Sequence, residues 1–213
     1  ASGMRLSLKT DLEFTERSDL STTLNLDPDG PPVSIFSLDG TPCDCTIVAI
    51  DQGFESWAPM IRPQLCISGI NFGPNISIDV IHSGTVSAAR EAALYGLPAI
   101  ALSLGTYLHE DFSVGNEAIL KLIDRALLVA NQEPTNLMRT RGSKHQPWGD
   151  EEMPMDERVR EAFRSGDLIL NLNTPHEWSG IVETVPLGAR WYHGATTKSG
   201  EKRGFVVGAA SIE

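Results

Sequence analysis

Cysteine is scarce in this chain, with only Cys43, Cys45 and Cys66 among 213 residues. The count is odd; two lie on an expected helix and one in an expected buried strand. That pattern argues for reduced thiols and a cytoplasmic compartment rather than a disulfide framework. Cys43 and Cys45 are one residue apart and no partner pair follows, so the zinc-binding pattern is not met. Basic residues are also few. There are 17 Lys and Arg against 28 Asp and Glu, giving a net charge of −11 and a pI near 4.9. A nucleic-acid binder with a broad basic face is excluded on that balance. Phosphate binding is not, because a metal ion and helix N-termini can supply local positive potential. No apolar run reaches membrane-spanning length and no signal-peptide pattern is visible, so no membrane partner is expected. Internal repeats are missing. So is a G-x-G-x-x-G after an early strand, which disfavours a dinucleotide-dependent oxidoreductase.

What is present is ordinary globular composition, 41% hydrophobic and 21% charged. The length suits one large domain, or one domain plus an appendage. Residue 1 is Ala, and Met4 already lies inside an alternating segment. The chain reads as one entered partway through its fold.

The stretch from 64 to 103 organises the rest. QLCISGINFGPN is an apolar run ending in a Gly/Asn/Pro loop, HSGT opens an Ala-rich helix, and LPAIALS is a second apolar run. Strand, loop, helix and strand follow in order, with polar chemistry where strand gives way to helix. In open α/β sheets ligands bind there. Around this unit, alternation predicts a strand over 4–8, continued or paired near 12–14, and then a loop over 19–32. A strand is expected over 33–38. Thr41 caps a helix with Pro42 at its first position, running toward Trp57. Strands are expected over 65–70 and 99–104, and Ser83 or Thr85 starts a helix ended by Gly96 and Pro98. Helical spacing covers 114–130, a surface insertion 134–148, and a short helix 156–163 closed by Gly166. A strand over 167–173 completes the alternating part. Short strands at 181–185, 190–193 and 204–207 then suggest a β-hairpin appendage. The alternation predicts an α/β fold: a Rossmann-type three-layer core with a mostly parallel sheet and helices on both faces.

Two loops carry candidate chemistry. Asn71 and Asn75 flank Gly73-Pro74. One carboxamide oxygen suits a hard divalent cation and the other amide suits a phosphate oxygen. Equally, Asn tolerates tight-turn geometry, and on composition alone that reading leads. His82-Ser83-Gly84-Thr85 offers hydroxyls and backbone N–H groups at a helix start, an anion site or a simple cap. Two such loops on neighbouring strand ends favour a phosphate pocket. His82 is a candidate general acid, though a lone His is more often a packed or capping residue. Asp79 caps or orients this loop. Asp44 is explained by the helix dipole, with contact to substrate as its alternative. Cys43 and Cys45 read as packing residues.

GTPCDC (40–45), SGINFGPN (68–75), HSGTVSAAREAAL (82–94) and LILNLNTP (168–175) occur in this order. Together they resemble the SurE, or survival protein E, family over most of the chain. The resemblance implies a divalent-metal-dependent phosphatase acting on nucleoside 5′- or 3′-monophosphates, with Mg²⁺ or Mn²⁺ as cofactor. Asn71 matches the family's metal-ligating Asn. Asn75, Ser83, Gly84 and Thr85 match positions lining the phosphate site. Residues 188–192 resemble a hairpin that takes part in subunit exchange, so a homo-oligomer is implied. The family's Asn-Asp-Asp-Gly segment, with its acidic metal and catalytic pair, falls upstream of residue 1, and its Ser ligand just before Ala1. The expected organisation is therefore an N-terminally truncated core over 1–180, with an insertion at about 134–165. A hairpin and oligomerisation segment over 181–213 follows, itself truncated. The alternative is a nucleotide- or phosphate-binding protein without catalysis.

Overall fold

A computed structural model describes residues 5–24, 27, 29–31, 33–59, 62–108, 111–130, 152–189, 196–198 and 205–207. The core is built on three parallel strands: β3 (Cys66–Asn71), β4 (Ala99–Leu104) and β5 (Ile169–Thr174), in that spatial order. Parallel strands need crossover connections, and here helices supply them. Helix α5 (Gly84–Leu94) links β3 to β4. Helices α6 (Ser113–Val129) and α7 (Met155–Arg164) lie between β4 and β5 in sequence.

β4 shows why the layers form. Every one of its residues is buried. Its alternation sorts them by size: Ala99 and Ala101 pack with Val86, Ala89, Ala92 and Ala93 of α5, whereas Ile100 and Leu102 pack with Ile119 and Ala126 of α6 and Phe163 of α7. Small residues on both α5 and its side of β4 let that helix approach the sheet closely. Larger side chains fill the opposite layer. The helix closes at Tyr95, and Leu97 and Pro98 carry the chain into β4. The expected α/β sheet with helices on both faces is thus the observed core.

Helix α2 (Pro42–Val48) packs beside α5 and runs on through a π-helical turn, Ala49–Gly53, into α3 (Phe54–Trp57). Its start is the expected one. Thr41 caps it and Asp44 closes a reciprocal capping box. Further along, α7 is followed, after its Ser165 cap, by Gly166, whose φ of +76° and closeness to the Ala93 carbonyl leave no room for a Cβ.

Several sequence expectations are corrected. No strand forms over 5–8, because the backbone N–H and the hydroxyl of Ser7 donate to Asp44, at 2.9 and 2.8 Å, instead of to a ladder. Within the expected loop lies helix α1 (Ser18–Leu24). Its Ser21, Thr22 and Thr23 hydroxyls donate to carbonyls four residues back, and Arg17 pairs with Asp19. Polar side chains that usually compete with a helix therefore satisfy it here. The strand expected over 33–38 is only β2 (Phe36–Leu38). It pairs antiparallel with β1 (Phe14–Glu16), apart from the main sheet, under a stack of Phe14 on Trp57. Residues 181–185 are exposed and outside any ladder, so that strand does not form. An antiparallel hairpin does exist, between β6 (Thr196–Lys198) and β7 (Phe205–Val207). The insertion at 134–148 and the strand at 190–193 lie outside the described residues.

Candidate functional site at the carboxyl edge of the sheet

Parallel strands bring the ends of β3, β4 and β5 to one edge, and α5 begins beside them. At that edge stand Asn71, which ends β3, Ser103 near the end of β4, and Asn171 and Asn173 on β5. The loop from 72 to 83 crosses above them, through a short helix α4 (Asp79–His82).

The Asn71 amide nitrogen donates to the Gly73 carbonyl at 2.7 Å. That bond commits the nitrogen and leaves the carboxamide oxygen as the atom suited to a cation or a donor. Gly73 makes the turn possible, since its φ is +104° and a Cβ there would enter the Tyr107 ring.

Asn75 is the most heavily bonded residue of the loop and is 4% exposed. Its N–H donates to Asn173 Oδ1 at 2.7 Å, and its carbonyl accepts from Asn171 Nδ2 at 2.8 Å and Asn173 Nδ2 at 3.1 Å. Its own Nδ2 donates to Ser103 Oγ at 2.5 Å. Asn75 thus ties the loop to β4 and β5, and its side chain points inward. Sequence reasoning missed these three partners. The available signal was Asn171 and Asn173 at a spacing of two, which puts both on one face of a strand at its carboxyl end.

Ser83 is the N-cap of α5. Its Oγ accepts from the Val86 N–H at 3.1 Å, and its carbonyl accepts from the Ser87 N–H at 3.0 Å. The second of those is the first regular bond of the helix; of the four orphan amides of a helix start, Val86 is taken by the cap and Ser83 itself donates to the Asp79 carbonyl at 2.7 Å. The other two belong to Gly84 and Thr85, which follow the cap directly and are buried with it. An N-terminus with two amides not taken by its cap carries the positive end of the helix dipole. Asn71 thus ends β3, Ser83, Gly84 and Thr85 open the helix that follows it, and Asn75 ties the loop between them to β4 and β5. His82 lies exposed at the end of α4.

Asp44 is placed differently. It is 6% exposed and accepts from the N–H and Oγ of both Ser7 and Thr41. Burial pushes its carboxyl up, but the four donated hydrogen bonds outweigh that and hold it at about 2. The three thiols go the other way. Burial raises Cys43 and Cys45, and pushes Cys66 up to about 11. Thiolates are the reactive form, so none of the three is primed as a nucleophile; Cys43 is buried as expected, whereas Cys45 is exposed, which corrects the expectation of a buried packing residue there. All three are free.

As for a metal ion, Asn71 supplies one neutral hard ligand. No group of three His, Cys, Asp or Glu side chains stands together among the described residues. Hard divalent cations draw most of their binding from carboxylates. The described residues thus fit one position of such a site and do not complete it.

A three-stranded parallel sheet with helices on both faces, and with a capped helix start and an Asn loop after its strands, defines a protein of the open α/β class. A sequence model of the family described as "Survival protein SurE" matches residues 1–194, and the chain belongs to that family. It is similar to a "5′-nucleotidase SurE" of Pelotomaculum thermopropionicum, 44% identical over 107 residues, covering 46% of this chain and 39% of the relative. A second "5′-nucleotidase SurE", from Carboxydothermus hydrogenoformans, is 44% identical over 93 residues, 43% of this chain and 33% of the relative. The chain thus spans less than half the length of these curated relatives. The crystal structure of the SurE protein from Aquifex aeolicus superposes with a TM-score of 0.56 at 22% identity, over 97% of this chain and 65% of that one. That likeness bears on the fold. No helix among the described residues is long and apolar enough to cross a membrane.

Proposed function

We propose that this chain carries the phosphate site of a phosphoric monoester hydrolase acting on nucleoside 5′- or 3′-monophosphates. What supports this reading is a capped helix start that leaves the Gly84 and Thr85 amides unused and follows, after one loop, the strand that Asn71 ends. The relatives described as 5′-nucleotidases support the substrate class.

In hydrolysis a water oxygen bonds to phosphorus as the ester P–O bond breaks, and the departing sugar oxygen takes up a proton. Negative charge builds on the non-bridging oxygens. The Gly84 and Thr85 amides, with the Ser83 and Thr85 hydroxyls, are the donors that stabilise it. Asn75, tied to Ser103, Asn171 and Asn173, holds the loop between Asn71 and α5 and is the floor of the site in this reading. Mg²⁺ or Mn²⁺ is the cofactor of this reading, with Asn71 as the ligand this chain contributes. Three free thiols fit a cytoplasmic protein. Residues 1–180 form the catalytic core and 181–213 a segment for homo-oligomer assembly.

Phosphate release from nucleoside monophosphates, in the presence of Mn²⁺, tests the reading. Each transition-state donor removed lowers kcat roughly 10²–10³-fold, so Ser83→Ala with Thr85→Ala is expected to lower kcat and raise KM together. If that variant loses only thermal stability, these residues are caps. Asn71→Ala is expected to shift the metal titration. Tight binding of nucleotide with no release of phosphate favours the non-catalytic binder.

A further inference from the structure

The mouth of the site carries two exposed aromatic rings whose place the phosphate chemistry does not explain. Phe72 follows Asn71 directly, so its Cα lies only about 3.8 Å from that of the residue that ends β3. Tyr107 follows the end of β4, the next strand in the sheet. Both therefore rise from neighbouring strand ends at the carboxyl edge. Phe72 is 37% exposed and Tyr107 52%. Their ring centroids are 6.3 Å apart and the planes meet at 85°. Tyr107 packs on the Gly73 backbone, at a point where any side chain would occupy the ring itself. It is held from one side while half its surface remains open. Apolar Ile76, Ile81 and Leu108 are exposed in the same chain segments.

We propose that Phe72 and Tyr107 form the nucleobase-binding corner of the site, so that the protein prefers nucleoside phosphates to phosphate esters without a base. This rests on the phosphate site proposed above. A planar base stacks on an aromatic face and meets a second ring edge-on, which are the two arrangements aromatic quadrupoles favour. A right-angled pair offers both to one occupant. Stacking of this kind accepts any base, because every base has a π-face. Burial, and then the neighbouring Asp79, raise the Tyr107 phenol, so the ring stays neutral beside an anionic substrate. The loop anchored by Asn75 fixes Phe72 relative to the helix N-terminus, and so sets the distance from base to phosphate.

The test compares adenosine 5′-monophosphate with ribose 5-phosphate, which lacks the base. Affinities for both are measured by calorimetry with Mn²⁺ on the wild type and on Tyr107→Leu, Tyr107→Phe and Phe72→Ala. Wild type is expected to prefer the nucleotide. Loss of one stacking partner reduces affinity on the order of tenfold, so Tyr107→Leu and Phe72→Ala are expected to lower the nucleotide-to-ribose-phosphate ratio by about that factor, and Tyr107→Phe to keep it. Leu fills space without aromatic character, so a well-folded Tyr107→Leu isolates stacking from packing. An unchanged ratio in both Tyr107→Leu and Phe72→Ala overturns the proposal, as does a wild-type ratio of one. A change in sedimentation with an unchanged ratio overturns it in favour of a contact between copies of the chain. If wild type binds ribose 5-phosphate and the ratio is one, only the base corner is lost. If it binds neither ligand nor inorganic phosphate, the phosphate site fails as well.

Discussion

The runs AIALSL at 99–104 and IVETVPL at 181–187 read alike as apolar strand material. The first is buried at every residue, while the second is exposed at every residue and joins no strand among the described residues. The difference lies in their neighbours. β4 sits between β3 and β5, with α5 on one face and α6 and α7 on the other. Every N–H and C=O of β4 can pair, and every side chain meets protein. Residues 181–187 have no strand paired with them among the described residues; they border an open cavity with Ala118 and Asn171–Thr174 and are held at one end by Trp178 Nε1, which donates to the Ile181 carbonyl at 2.8 Å. Apolar composition is needed for a strand, but a partner on each side decides whether one forms.

This contrast can be broken most severely at its buried end. Ile100→Ala removes a side chain with no exposed surface. Truncating such a residue costs about 2–5 kcal/mol, and urea denaturation is expected to show a loss in that range. The next largest effect is expected at Asp44, where four donors converge. Asp44→Asn turns an amide toward some of those donors and is expected to cost about 1–3 kcal/mol at neutral pH. The carboxyl is held below its ordinary 3.8, at about 2. A depressed folded-state value means the stabilisation is complete above 3.8 and disappears as pH falls toward 2. Acid titration of unfolding is expected to show a steeper loss over that window in wild type than in Asp44→Asn.

A smaller effect is expected at Ser83. Replacing an N-cap serine with alanine costs about 1 kcal/mol, and Ser83→Ala is expected to lower the denaturation midpoint accordingly. Smallest of all is Val185→Ala, in the exposed run. Surface substitutions away from special features stay within about 0.5 kcal/mol, so the denaturation midpoint of the isolated chain is expected not to move measurably. A larger shift that depends on protein concentration would sharpen the comparison differently. It would mean that a second copy supplies a layer over this segment.

Legibility followed the same division. The helix from Gly84, its Ser83 cap, the Thr41–Pro42 start and the strands flanking α5 were all readable, because caps and apolar runs act within a few residues of themselves. Helix α1 was hidden by its Ser and Thr content, since only the structure shows those hydroxyls turned back onto its own carbonyls. At residues 5–8 alternation suggested a strand, but Asp44, far along the chain, claims the donors of Ser7.

At the candidate site, the sequence by itself determined which residue types stand at the strand-to-helix junctions: Asn71 and Asn75 in one loop, and Ser83, Gly84 and Thr85 at a helix start. Only the tertiary structure decided how they are used. Asn75 turns inward because its partners, Ser103, Asn171 and Asn173, come from strands 28 to 98 residues away. Phe72 and Tyr107 meet because β3 and β4 are adjacent and parallel. Local chemistry is written in neighbouring residues, but which strand end lies beside which depends on how the sheet is assembled, and a parallel sheet joins segments that the chain keeps far apart.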